Sequence, residues 1–167
     1  MTLIRRIISG GQTGADRAAL DYALWCGILV GGWCPAGRRA EDGKVPPWYP
    51  LRETPSGDYR QRTAWNIRDS HATVICTLED TLTGGSKLTR DMAANQGRPW
   101  LHAHGEAWDA GHELGGWLLD LYRSGRTPQA GLVLNVAGGR QSRSPAIAGW
   151  VHQMLSAMDH ATDGMID

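Results

Sequence analysis

Three times along this chain a short apolar run breaks on glycines and passes into a helical pattern, and that recurrence limits the fold more than any other feature. The runs are Leu3 to Ser9, Ala72 to Thr77 and Gly131 to Ala137. The turns after them are Ser9-Gly10-Gly11-Gln12-Thr13-Gly14, Thr83-Gly84-Gly85-Ser86 and Asn135-Val136-Ala137-Gly138-Gly139-Arg140. Short apolar strands are expected where both faces of a sheet are covered. Residues 28–33 and 99–103 read as further strands. Helical patterns cover residues 15–25, 58–69, 86–96 and 107–124, and a last one runs from Ser144 or Pro145 to about 157. Alternating strands and helices predict an α/β fold, a mainly parallel sheet flanked by helices in three layers. No linker or repeat divides the 167 residues, which read as one domain with a frayed tail over 159–167.

Parallel sheets place their working loops beyond the carboxyl ends of the strands, so the three turns are expected along one edge. Glycine lets the backbone approach a ligand closely, and a helix start offers free N–H groups and a favourable dipole to an anion. In the first turn Gly10, Gly11, Gln12, Thr13 and Gly14 are the candidate contacts, with Thr13 as N-cap and Asp16 completing a weak capping box. The turn matches neither the dinucleotide fingerprint nor the P-loop. A ligand-free tight turn explains the same residues.

In the second turn Gly84, Gly85 and Ser86 lead into Lys87 and Thr89. Lys87 offers a point charge, or it is a solvated surface residue. Asn135 and Gly138 belong to the third turn. The proline-rich stretch from Cys34 to Pro55 is too long for an ordinary connection, and it brings Arg38 and Arg39. Arg62 and Asn66, four apart on the second helix, share a face. Arg60 and Arg68 read as solvent-facing.

Charge and composition exclude several classes. Formal net charge is zero, so no broad field points to nucleic acid or an anionic membrane surface. No apolar run reaches membrane-spanning length, and a soluble, cytoplasmic protein is expected. Cys26, Cys34 and Cys76 have no paired spacing, which fits reduced buried thiols better than disulfides or zinc. His102, His104 and His112 lack the carboxylate or cysteine partners that would complete a metal site. Eight Trp and no Phe leave two readings: core packing, or a ring-binding pocket or subunit contact that includes Trp33, Trp48 and Trp65.

The block Ser9 to Asp21 resembles the opening signature of the family known as "putative molybdenum carrier". Gly31 to Gly43 is similar to its second signature. Tyr49 to Glu53, Tyr59 to Thr63, Asn66 to Ser70, Gly84 to Thr89 and Leu134 to Gly138 continue the likeness in order. It spans about Ile7 to Ile147. The resemblance implies a Rossmann-like fold, in the superfamily of the lysine-decarboxylase-like phosphoribohydrolases. It further implies a homo-oligomeric carrier that binds the molybdenum cofactor, a phosphorylated pterin dithiolene. Its partners would be this small anionic ligand and molybdoenzymes or cofactor-synthesis proteins.

Ser86 stands where family members carry Thr, and Gly139 replaces a proline. The phosphoribohydrolase relatives share a P-G-G-x-G-T-x-x-E pattern, whereas this chain reads Thr83 to Asp91 without the proline, the third glycine or the threonine. Asp91 stands at the glutamate position and is the candidate catalytic residue only if the chain is a nucleotide phosphoribohydrolase. A nucleotide-sensing module without turnover is the third reading.

Overall fold

The structure, a computed structural model, describes residues 3–166. In chain order its elements are β1 (Ile4–Ile8), α1 (Ala15–Trp25), β2 (Leu29–Gly31), β3 (Trp33–Cys34), β4 (Arg39–Ala40), β5 (Gly43–Lys44), β6 (Arg52–Glu53), α2 (Tyr59–Arg68), β7 (Ala72–Cys76), α3 (Gly84–Asn95), β8 (Trp100–Ala103), α4 (Ala107–Arg123), β9 (Leu132–Gly138) and α5 (Ile147–Thr162). All five residues of β7 are buried, as are the first five of β9. Continuous burial is what an apolar strand without alternation requires. Four alanines on the buried side of α1 combine strong helix propensity with little bulk, so the helix lies close to the sheet.

The five-stranded sheet runs β2-β1-β9-β7-β8, and every pair is parallel. The strand made last therefore lies in the middle. Counted from β9 onward and around to the N-terminus, the order becomes 3-2-1-4-5, that of a dinucleotide-binding fold. α1, α4 and α5 pack together on one face, and α2 and α3 on the other. The main core lies between the first group and the sheet, around Ile7, Leu114, Leu118, Leu134, Val151 and Leu155. This is the three-layer Rossmann-like arrangement expected from the alternation.

The proline-rich segment is ordered and folded on itself. β3 pairs with β6, and β4 forms a hairpin with β5. A small second core of Leu20, Cys34, Ala40, Val45, Tyr49 and Leu51 fixes it to α1. Arg38 holds the segment from inside. Its guanidinium donates to the carbonyls of Val45, Pro46, Tyr49 and Leu51 at 2.7–3.3 Å. Among the thiols, Cys34 and Cys76 are buried but Cys26 is exposed, because it caps the outer end of α1 rather than extending its buried face.

α5 continues to Thr162, past the end expected at 157, so residues 159–162 are helical rather than frayed. The Thr162 hydroxyl bonds the Met158 carbonyl at 3.0 Å, and its methyl lies against Gly115 of α4. α4 and α5 meet through Gly111, where a Cβ would stand 2.3 Å from the Met154 carbonyl oxygen. Gly111→Ala gains about 1 kcal/mol of helix propensity, but the helices must then separate along a long contact. A net loss of about 2–3 kcal/mol is expected, read as a lower urea midpoint at unchanged slope.

Candidate functional site

An open sheet with this strand order has its crevice where the connections diverge, outside the carboxyl ends of the two strands concerned. Here these are β9 and β7. A cleft of about 420 Å³ occupies that position, lined by residues of all three glycine turns and of α2. Gly10, Gln12, Asp16, Arg62, Asn66, Gly84, Gly85, Ser86, Thr89, Asn135 and Gly138 all line it. The structure thus assembles most of the residues singled out from the sequence. What it gives them to do differs from turn to turn.

The first turn does surround an anion, but the anion is its own Asp16. The Gln12 N–H donates to Asp16 Oδ2 at 3.2 Å, and Arg62 approaches the same oxygen at 3.1 Å. Burial raises the Asp16 pKa, against the Arg62 charge and the Gln12 and Gly10 N–H groups. Three further donors are also taken. Gly11 N–H bonds the Ser9 hydroxyl, Thr13 N–H bonds Gln12 Oε1, and Ala15 N–H bonds the Gly139 carbonyl. Thr13 is not the N-cap. Gly14 holds that position at φ 83°, and the Thr13 hydroxyl instead donates to Glu41. Gly11 turns away from the cleft toward Val45 and Leu51, and Gly14 presses against the Gly139 carbonyl. Gly11, Thr13 and Gly14 therefore shape this turn without lining the cleft.

The second turn is the open one. Thr83 is the N-cap of α3 but makes no side-chain capping bond. Ser86 and Lys87 N–H groups return to the Thr83 carbonyl. Among the described residues nothing accepts from the Gly84 or Gly85 N–H groups. A Cβ at either glycine would meet nothing within 4 Å. A helix start left bare beside a cleft has the donors and the dipole to hold an anion. The Thr89 hydroxyl turns back onto the Gly85 carbonyl at 2.8 Å, so it braces the turn.

The third turn needs Gly138 for packing, since a Cβ there would lie 2.0 Å from the Cys76 carbonyl oxygen. Asn135 donates to Thr73 across the sheet at 3.2 Å. Asn66 exchanges two hydrogen bonds with the Trp33 backbone at 2.8 and 2.9 Å, which ties α2 to β3. Both line the cleft while serving the scaffold.

Other candidates lie elsewhere. Arg38 is spent on four carbonyls of its own segment. Arg39 rests over the Tyr59 ring at 4.8 Å and bonds the Gly57 carbonyl, outside the cleft. Lys87 points to solvent. Asp91 is paired with Arg90 at 2.9 Å and does not line the cleft. Helical geometry explains both: they fall on faces of α3 turned from the sheet. None of Trp33, Trp48 and Trp65 lines the cleft; Trp33 and Trp65 pack edge to face at 4.8 Å, and Trp48 is exposed.

The sequence reading missed Tyr59, Arg140 and Arg143, which do line the cleft. Arg62 and Arg140 flank the Tyr59 ring at 5.4 and 5.8 Å. The signal was an R-x-x-R spacing directly after Gly138-Gly139. Tyr59 opens the family-like block Tyr59 to Thr63, which by itself does not mark the ring as a contact. Among the described residues no group of three or more His, Cys, Asp or Glu is placed to hold a metal ion.

Glu41 closes one side of this region by accepting from Ser142 Oγ at 2.6 Å and Ser142 N–H at 3.1 Å. Burial pulls its pKa up, but the bonds from Ser142 and Thr13 and the Arg140 charge prevail and hold it below the usual value. Arg17 holds Asp42 low as well. Lowered folded pKa values stabilise above the unfolded values and lose that effect as pH falls through the folded ones. The hairpin of β4 and β5 is therefore expected to exchange its amides faster below about pH 4, after correction for intrinsic rate, before the sheet does. Hydrogen exchange by mass spectrometry checks the order.

Residues 7–158 match the model of the circularly permutated YpsA SLOG family. A crystal structure of a protein from Syntrophus aciditrophicus SB, named "putative molybdenum carrier protein", superimposes with a TM-score of 0.86. It is 40% identical over 93% of this chain and 95% of that one. No curated protein matches. Among the described residues no helix is long and apolar enough to cross a membrane. The permuted strand order and the matched span agree, and the chain belongs to the circularly permutated YpsA SLOG family.

Proposed function

We propose that this protein binds and carries the molybdenum cofactor, with the cofactor's phosphate at the start of α3. One observation carries the reading. The bare N-terminus of α3 opens into a switch-point cleft lined by Arg143, which pairs with no carboxylate among the described residues, and by Arg140, which lies 3.8 Å from the Glu41 carboxylate. The likeness to a relative named as a molybdenum carrier supports the identity of the cargo. Gly84, Gly85 and Ser86 would face the phosphate, and Arg140 and Arg143 would supply charge. Recipients would be molybdoenzymes or cofactor-synthesis proteins, and we place the carrier in the cytoplasm as a homo-oligomer.

Titration calorimetry with the isolated cofactor tests this, with inorganic phosphate as a mimic of its tail and tungstate as a mimic of its oxo-metal head. Saturable binding of the cofactor is expected. Absence of saturable binding for all three sinks the reading.

The strand order favours a second reading, a nucleotide-sensing module, because dinucleotides bind at this switch point. A phosphoribohydrolase draws no support from Asp91, which lies outside the cleft. A thermal-shift panel of nucleotides separates carrier from sensor, since a ligand specific to the folded state raises the melting point.

A further inference from the structure

Among the described residues two buried donors on side chains of the cleft have no partner, Gln12 Nε2 and Arg62 Nε. Gln12 is 6% exposed and lines the cleft. The orientation of its amide is set by its neighbours, because Oε1 accepts from Thr13 N–H at 3.1 Å and from Glu41 N–H at 2.9 Å. Only donors satisfy those contacts, so the NH2 end must face the other way. Arg62, which also lines the cleft, is anchored through Nη1 to Asp16 at 3.1 Å, which leaves Nε without a partner among the described residues. A buried donor left unmet is costly, and two of them on residues that line one cleft point to an acceptor that arrives from outside.

We propose that Gln12 and Arg62 form a second ligand locus, which receives an acceptor-only oxo or oxyanion group. This rests on the carrier reading and extends it. The ligand is two-ended: its phosphoryl group goes to the bare start of α3, and its oxo-bearing head goes to Gln12 and Arg62. The locus discriminates by hydrogen-bond sense. A head that presents N–H or O–H donors meets two further donors and is rejected.

Tungstate, fully deprotonated at pH 8, is the probe for the head, and inorganic phosphate is the probe for the tail. Gln12→Glu keeps the oxygen that accepts from Thr13 and Glu41 but replaces the free NH2 with a second oxygen. Arg62→Lys keeps a charge for Asp16 but removes Nε. Each variant is expected to weaken tungstate by about tenfold or more, the worth of a lost charged hydrogen bond, with phosphate far less affected. In the wild-type protein the Gln12 side-chain NH2 resonance is expected to move on saturation with tungstate.

A static Gln12 resonance, with tungstate binding to Gln12→Glu as to wild type, overturns the inference. So does equal weakening of both anions, which indicates one shared locus. Binding of phosphate without tungstate overturns this inference alone, and binding of neither, nor of the cofactor, overturns the carrier reading with it. If the variants do not fold, the wild-type resonance decides the matter.

Discussion

Replacing Gly85 with Asp is expected to remove phosphate binding while the fold stays as stable as before or slightly more so. The two effects separate because of where Gly85 lies. It sits in the first turn of α3, its φ is not positive, and a Cβ there meets nothing within 4 Å. A carboxylate in the first turn favours the helix by about 0.3–1 kcal/mol. The same carboxylate occupies the place of the incoming anion. Two unit charges about 4 Å apart at an effective dielectric of about 20 repel by about 4 kcal/mol. That is roughly a thousandfold in affinity, and salt screening leaves at least about a hundredfold. Calorimetry with inorganic phosphate reads the loss, and a thermal melt reads the stability. Unchanged phosphate affinity in a folded Gly85→Asp protein would exclude the α3 locus.

The second large effect falls on the fold. Gly138→Ala is expected to destabilise the protein by more than about 3 kcal/mol, the range of a steric conflict that cannot relax. Its Cβ would lie 2.0 Å from the oxygen, 2.8 Å from the carbon and 2.9 Å from the nitrogen of Cys76. All three are backbone atoms of the neighbouring strand, and that strand is buried along its length. Gly138 also has φ 154°, a conformation that a side chain rarely adopts. The loss corresponds to about 6–12 °C in melting temperature for a domain of this size. Gly85→Ala, with open space around its Cβ, serves as the control and is expected to melt within about 2 °C of wild type.

The elements of the fold were legible because each strand is a short apolar run and each helix starts after a glycine or polar turn. α1 matches its expected span, Ala15 to Trp25. The order of strands was not legible. Nothing local in Leu132 to Gly138 says that this run lies between β1 and β7; that follows from which faces remain to be covered. The cleft was legible as a set of turns, because parallel strands bring their ends to one edge. The use of each turn was not. The acceptors that occupy the first turn include a carbonyl from Gly139 and a carboxylate from Glu41, both distant in sequence. Arg38 looked like a ligand contact because a cation in an irregular loop usually faces solvent. Four carbonyls of its own segment claim it instead, two of which, Pro46 and Tyr49, also accept a backbone N–H.

The permuted order also bears on how the chain reaches its folded state. β1 and β2 can pair as soon as both exist, and so can β7 and β8, but the two pairs have no strand in common. Without Leu132 to Gly138 nothing in the sheet joins the two pairs, and each would present an exposed edge. Contacts of such long sequence separation slow folding, and unpaired edges invite association. A nascent or truncated chain lacking β9 is thus the aggregation-prone species. A single late strand joins the two pairs and completes the crevice, so the crevice and protection from aggregation depend on the same strand.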